Sequence, residues 1–198
     1  MGQADTFRPK PNPDTMKRLF AALSFVGAVA FSANAQFFED GGNYLHIGAG
    51  IGSPYAYSGS KMGVPPVHVS FEHGLSDKFG VGGLIGYTSS VYEETFWGNS
   101  TYKWNFSYLI IGARGAYHFL DKDNIDLYLG AMLGYNVATA KFESDYPGLE
   151  NLVTEPSVGG IAFGGFLGTR FALGDNSAIF AELGYNISWL SLGYCHKF

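Results

Sequence analysis

Cysteine is nearly absent from this chain: Cys195 is the only one in 198 residues. No internal disulfide framework can form, and no Cys/His cluster has the spacing of a zinc site. Basic residues are scarce too, 12 Lys and Arg against 17 Asp and Glu, which argues against nucleic acid and against an anionic inner-leaflet surface as partners. Beyond residue 35 no stretch holds 18 uninterrupted apolar residues, so a membrane protein built of helices is excluded on length. Glycine, by contrast, is plentiful at 28 residues, about twice the usual share of roughly 7%. Aromatics reach 17%. Both are frequent in β-barrels.

The front of the chain reads as a targeting sequence. Met16-Lys17-Arg18 is a basic start, 19–31 an apolar run too short to span a bilayer as a helix, and Ala33-Asn34-Ala35 a small-residue cleavage site. Residues 16–35 are therefore expected to be a removed signal peptide. Residues 1–15, with Pro9, Pro11 and Pro13, are expected to form an extension outside the fold. No cysteine follows the cleavage site to carry a lipid anchor. The expected mature chain, 36–198, is one domain. Losing four basic and two acidic residues moves its net charge from −5 to −7.

Alternation dominates the rest. Strands are predicted at about 43–52, 66–74, 78–90, 103–119, 125–142, 157–172, 177–186 and 189–198, an even number that puts both ends on one side of a membrane. Short turns at 74–77, 120–124 and 173–176 carry Gly, Asn or Asp, which tolerate tight geometry. Longer connections at 53–65, 91–102 and 143–156, with a very short fourth at 186–188, are expected to be external loops. The fold class this predicts is all-β: an eight-stranded antiparallel up-and-down transmembrane β-barrel.

Energy decides which face meets lipid, because an outward Arg or Lys near the bilayer midplane costs about 2–4 kcal/mol in such barrels. Arg114 and Arg170 must then point inward. Parity sends Leu109, Ile111, Ala113, Tyr117 and Phe119 outward, with Leu127, Leu129, Leu133 and Tyr135, and Ile161, Phe163, Leu167 and Phe171. The inward set includes Tyr128, Met132, Asn136 and Phe166. Cys195, on the same face of the last strand as Lys197, reads as a buried structural thiol. Gly82 and Gly86, Gly130 and Gly134, and Gly160, Gly164 and Gly168 are spaced by four. In a helix that spacing would suggest dimerisation. In strands it keeps each set on one face, where small residues would make room for long charged side chains in a narrow lumen.

The last residues, with A-E-L-G-Y at 181–185, S-W-L-S-L-G at 188–193 and the terminal Lys197-Phe198, together with a signal ending at Ala35-Gln36, resemble the small outer-membrane β-barrel proteins of the OmpX and OmpA-barrel type, especially their Bacteroidota relatives. Cys195 and His196 depart from that pattern. The resemblance implies a Gram-negative outer membrane as location. It also implies outer-membrane lipid and lipopolysaccharide as surroundings, and folding by periplasmic chaperones and the barrel-assembly machinery. That machinery would read the terminal strand, with Tyr194 and Phe198 as the assembly signal.

The inward ionisable residues are Glu72, Arg114, Asp126, Arg170, Glu182 and Lys197, three of each sign. An unpaired charge would be costly in such a lumen, so these six are expected to form a polar network that plugs the barrel. A gated ion path through rearranged pairs, as in a small porin-like channel, is the alternative. His68, Ser70 and Glu72 share one strand face and invite a lipid A-modifying enzyme reading. Alternate residues stand roughly 6.6 Å apart, however, too far for direct triad contact within about 3 Å. No catalytic, metal or cofactor site is expected. In the loops, Phe96 and Trp97 are candidate anchors for a host or phage surface ligand. Glu143, Asp145, Glu150 and Glu155 are candidates for divalent ions; both sets also suit an interfacial girdle and a solvated loop. The N-x-S/T matches at Asn99, Asn105 and Asn186 are chance. A monomeric, non-enzymatic barrel for envelope integrity or surface interaction fits best.

Overall fold

The computed structural model describes residues 36–198 apart from 57–58, 96–100, 123, 145–153 and 155. All belong to one unit, Ala33–Phe198. The predicted signal peptide and the extension before it lie outside the described residues, as do Phe96, Trp97, Asn99, Asp145, Glu150 and Glu155. Among the described residues the regular structure is β throughout: β1 (Asn43–Ile51), β2 (Lys61–Met62), β3 (Val67–Ser76), β4 (Phe79–Thr95), β5 (Thr101–Lys122), β6 (Ile125–Ser144), β7 (Ser157–Gly174), β8 (Ser177–Tyr185) and β9 (Leu190–Lys197).

Every strand but β2 joins an antiparallel ring in chain order. The β4–β5 and β1–β9 pairings close it. Closure removes the sheet edges, so backbone donors and acceptors are satisfied without water, the condition for crossing a bilayer with strands. The start of β1 and the end of β9 meet where Phe198 N donates to Asn43 O at 3.0 Å. That end also holds the tight connections 77–78 and 175–176, and there β5 and β6 pair up to Lys122↔Ile125. Next to each turn the ladder slips register, at Gly74/Ser76, His118/Leu120 and Ala172/Gly174. Such bulges concentrate at barrel rims, where they bend a strand into its turn.

The alternation is inside out compared with a water-soluble barrel. Ile161 (76% exposed), Phe163 (67%) and Leu133 (65%) face outward, while Arg170 (1%), Asp126 (0%) and Glu72 (3%) are buried inside. Rings collect at both borders of the apolar band. Phe79 lies 4.9 Å from Tyr117 at the turn end, and Tyr185 lies 5.5 Å from Trp189 at the loop end. This is the girdle of a membrane-spanning barrel.

Two expectations need correcting. The strands β4 to β6 do not stop at the apolar band: β4 runs on to Thr95, and β5 begins at Thr101 rather than near 103. Val91, Tyr92, Thr95, Thr101 and Tyr102 suit a pleated surface, and they pair in continuous register from Ser90↔Phe106 to Thr95↔Thr101. A strand can outlast the membrane, so the end of lipid-facing alternation does not mark its end. β2 was not anticipated, and it pairs with Ser90 and Val91 of β4.

The second correction concerns the inward glycines. A methyl added at Gly168 would overlap the Tyr128 ring, at Gly130 the Phe166 ring, and at Gly86 the Ile187 side chain. Those three glycines admit rings and an apolar plug, whereas a methyl at Gly82, Gly134 or Gly164 would meet backbone of the neighbouring strand. Gly80, against the Glu72 carboxylate, is where a charged group takes such space.

Candidate functional site

The lumen is filled in layers. At the turn end the segment preceding β1 folds into the mouth, and Phe37, Phe38, Tyr44, Ala178, Phe180 and Cys195 form a buried apolar cluster. The backbone amides of Phe37 and Phe38 donate to the Asp121 carboxylate at 3.4 and 3.0 Å. Tyr44 accepts from Glu39 N at 2.8 Å and donates to Phe37 O at 3.1 Å. At the loop end Ile187, carried by the short β8–β9 connection, inserts among Leu84, Ile110, Met132 and Ala162. Charge lies between these two seals.

Arg170 is the hub. Its guanidinium donates to Asp126 Oδ2 at 3.0 Å and to Glu72 Oε2, and its Nε donates to His46 Nε2 at 3.1 Å. It also lies over the rings of Tyr128 (4.7 Å) and Tyr44 (5.2 Å), adding cation–π attraction to the ion pairs. Arg114 forms a second group, donating to Glu182 Oε1 at 2.5 Å and to Ser70 Oγ at 3.3 Å, with its guanidinium 4.2 Å over Phe166. Tyr128 joins the groups by donating to the same Glu182 oxygen at 2.9 Å. Removing either arginine would strand carboxylates where water cannot solvate them.

Five of the six predicted lumen residues, Glu72, Arg114, Asp126, Arg170 and Glu182, thus sit together. Lys197 does not. It ends β9 at the rim and pairs with Glu39 at 3.0 Å. Its place is taken by His118, whose Nδ1 lies 2.7 Å from Asp126 Oδ1 and Nε2 3.3 Å from Glu72 Oε1. Both neighbours are carboxylate oxygens, so a doubly protonated ring would donate from both nitrogens and supply a third positive charge. Phe38 stacks on this imidazole with centroids 3.5 Å apart. The parity that turns Tyr117 and Phe119 outward also turns His118 inward, so the signal was in the sequence.

His68, Ser70 and Glu72 are all buried on the lumen face of β3. Ser70 accepts from Arg114 and Glu72 is held by Arg170 and His118, while neither ring nitrogen of His68 has a hydrogen-bond partner. The three do not form a relay. Cys195 is fully buried in the turn-end cluster. Among the described residues no group of three His, Cys, Asp or Glu side chains could hold a metal ion. Tyr194 and Phe198 face outward at the turn end, Phe198 6.3 Å from Phe71.

No protein-family model matches the chain, and no curated protein matches it. Its fold is similar to that of Ail, the attachment invasion locus protein of Yersinia pestis, at TM-score 0.50 and 19% identity, covering 80% of this chain and 99% of that one. The outer membrane protein OprG from Pseudomonas aeruginosa aligns at TM-score 0.49 and 13% identity, covering 83% and 99%. The N-terminal β-barrel domain of Pseudomonas aeruginosa OprF aligns at 0.48 and 12%, covering 80% and 98%. At these identities the likeness is one of fold. The protein is an eight-stranded antiparallel transmembrane β-barrel.

Proposed function

We propose that this chain is a non-enzymatic barrel of the cell outer membrane, of the OmpX and OmpA-barrel kind, serving envelope integrity or surface interaction. One observation carries the reading: a paired charged layer, Arg170 with Glu72 and Asp126 and Arg114 with Glu182, lies between two apolar seals. A lumen closed in this way supplies stability and no path for solutes. That disfavours the small-channel alternative, and the dispersed partners of His68, Ser70 and Glu72 disfavour lipid A modification.

In this reading the girdled apolar surface is solvated by outer-membrane lipid and lipopolysaccharide. The turn end faces the periplasm, and the loop end faces outward. The barrel works as a monomer, inserted by periplasmic chaperones and the barrel-assembly machinery acting on Tyr194 and Phe198. The Ail of Yersinia pestis is described by its name as an attachment and invasion protein, which favours a host or phage surface as partner. The test is electrophoretic mobility of the protein from a purified outer-membrane fraction, with and without boiling. A heat-dependent shift is expected. An unshifted protein in the soluble periplasm would overturn the reading.

A further inference from the structure

The strands that outrun the apolar band reverse their polarity. On the outer face of β4, β5 and β6, the lipid-type residues give way beyond Tyr87, Leu109 and Val137 to Ser89, Ser107 and Thr139, and then to charge. Glu93, Lys103 and Glu143 lie side by side across the three strands, with Lys103 Nζ 3.9 Å from Glu93 and Asn105 donating to Glu143 at 3.0 Å. This surface is built for water. The opposite face, continuous with the lumen, is built of rings. Cross-strand rows place Ser90 beside Phe106 and Ala140, Tyr92 beside Trp104 and Phe142, and Glu94 beside Tyr102 and Ser144. Trp104 lies 5.0 Å from Phe142, and Tyr102 lies 6.2 Å from Phe142.

One charge stands on this aromatic face. Glu94 is exposed, and its Oε2 accepts from Tyr102 at 2.5 Å and from Tyr92 at 3.0 Å. Two hydroxyls thus fix the carboxylate, and neither donates to Oε1. The wall's cations, Lys103 and Lys141, sit on the outer face by parity. A carboxylate held by two phenol hydroxyls, one cross-strand row from the Trp104 indole, complements a group that is both cationic and flat: a guanidinium stacks on rings while donating to a carboxylate, which an ammonium does less well.

We propose that this face is a docking site for an arginine side chain of a partner protein, with Trp104 and Tyr102 receiving the guanidinium plane and Glu94 its charge. The proposal rests on the reading that the loop end is external, and it names the partner chemistry. The test is calorimetric titration of the detergent-solubilised, heat-shifting barrel with the capped peptide Gly-Arg-Gly-Arg-Gly, and with its Lys and Gln versions. The Arg peptide is expected to bind best. Glu94→Gln should weaken it about tenfold, and Trp104→Leu comparably, whereas Glu93→Gln on the outer face should change it less than about twofold. Equal weakening by Glu93→Gln and Glu94→Gln would reduce the effect to diffuse charge and overturn the site, as would absence of binding at millimolar peptide. Labelling Thr95→Cys in intact cells with a membrane-impermeant maleimide separates the two readings, because native Cys195 is buried. Labelling without peptide binding sinks the site alone. Binding without labelling keeps the site and sinks the external placement.

Discussion

Replacing Arg170 by alanine removes the partner of two carboxylates at once. Glu72 and Asp126 are both buried, and His46 also loses the donor to its Nε2. Breaking a buried ion pair by deleting one member costs about 3–5 kcal/mol, most of it the penalty of the charge left behind. Folded domains hold roughly 5–15 kcal/mol in all, so the variant should lose about a fifth of its stability or more. The rim pair gives the contrast: Lys197 and Glu39 side chains are 15% and 54% exposed, and Lys197→Ala should cost about 0–1 kcal/mol. Urea unfolding of both variants in lipid vesicles, followed by gel mobility, measures the difference. If stranded charge is the cause, Arg170→Met combined with Glu72→Gln and Asp126→Asn should recover most of the loss. Equal costs for Arg170→Ala and Lys197→Ala, or no recovery in the triple variant, would refute the reasoning.

Arg114→Ala should lower barrel melting more than it alters conductance; a large conductance change at unchanged stability would refute the plug. Gly168→Ala should destabilise by about 1–3 kcal/mol through overlap with Tyr128, while Gly83→Ala, with only Gly112 O within 4 Å at 3.6 Å, should be near neutral in the same urea titration. Phe38→Ala should cost about 3–5 kcal/mol as its ring leaves His118 and Tyr44, read from the same transition. Deleting Phe198 should reduce the heat-shifting fraction in outer membranes, and unchanged assembly would count against a terminal-residue signal.

The barrel was legible because two arginines set the parity of their strands and the period of two carried it through the rest of each strand. The central network followed from the same step, since Glu72, Asp126 and Glu182 share that inward face. What escaped was whatever parity does not control. Lys197 points inward by alternation, yet its position at the end of β9 takes it to the rim, and distance along the strand decides its partner. Phe37 and Phe38 precede β1, where no alternation exists, so their seat in the mouth has no periodic signature. Ile187 sits in a connection too short to read as a plug. The wall of β4 to β6 was truncated because lipid-facing residues end at the membrane while hydrogen bonding does not. Its reversed polarity, with Glu93 and Lys103 facing one way and Tyr102 and Trp104 the other, is visible in the sequence once the strands are allowed to continue.

The central claim is a membrane barrel closed by its own charge layer and seals. Single-channel recording of the folded, heat-shifting protein in planar bilayers tests it most directly. The account predicts no unit conductance from the wild-type protein. Steady, protein-dependent unit conductance from the same preparation would contradict it and establish a pore.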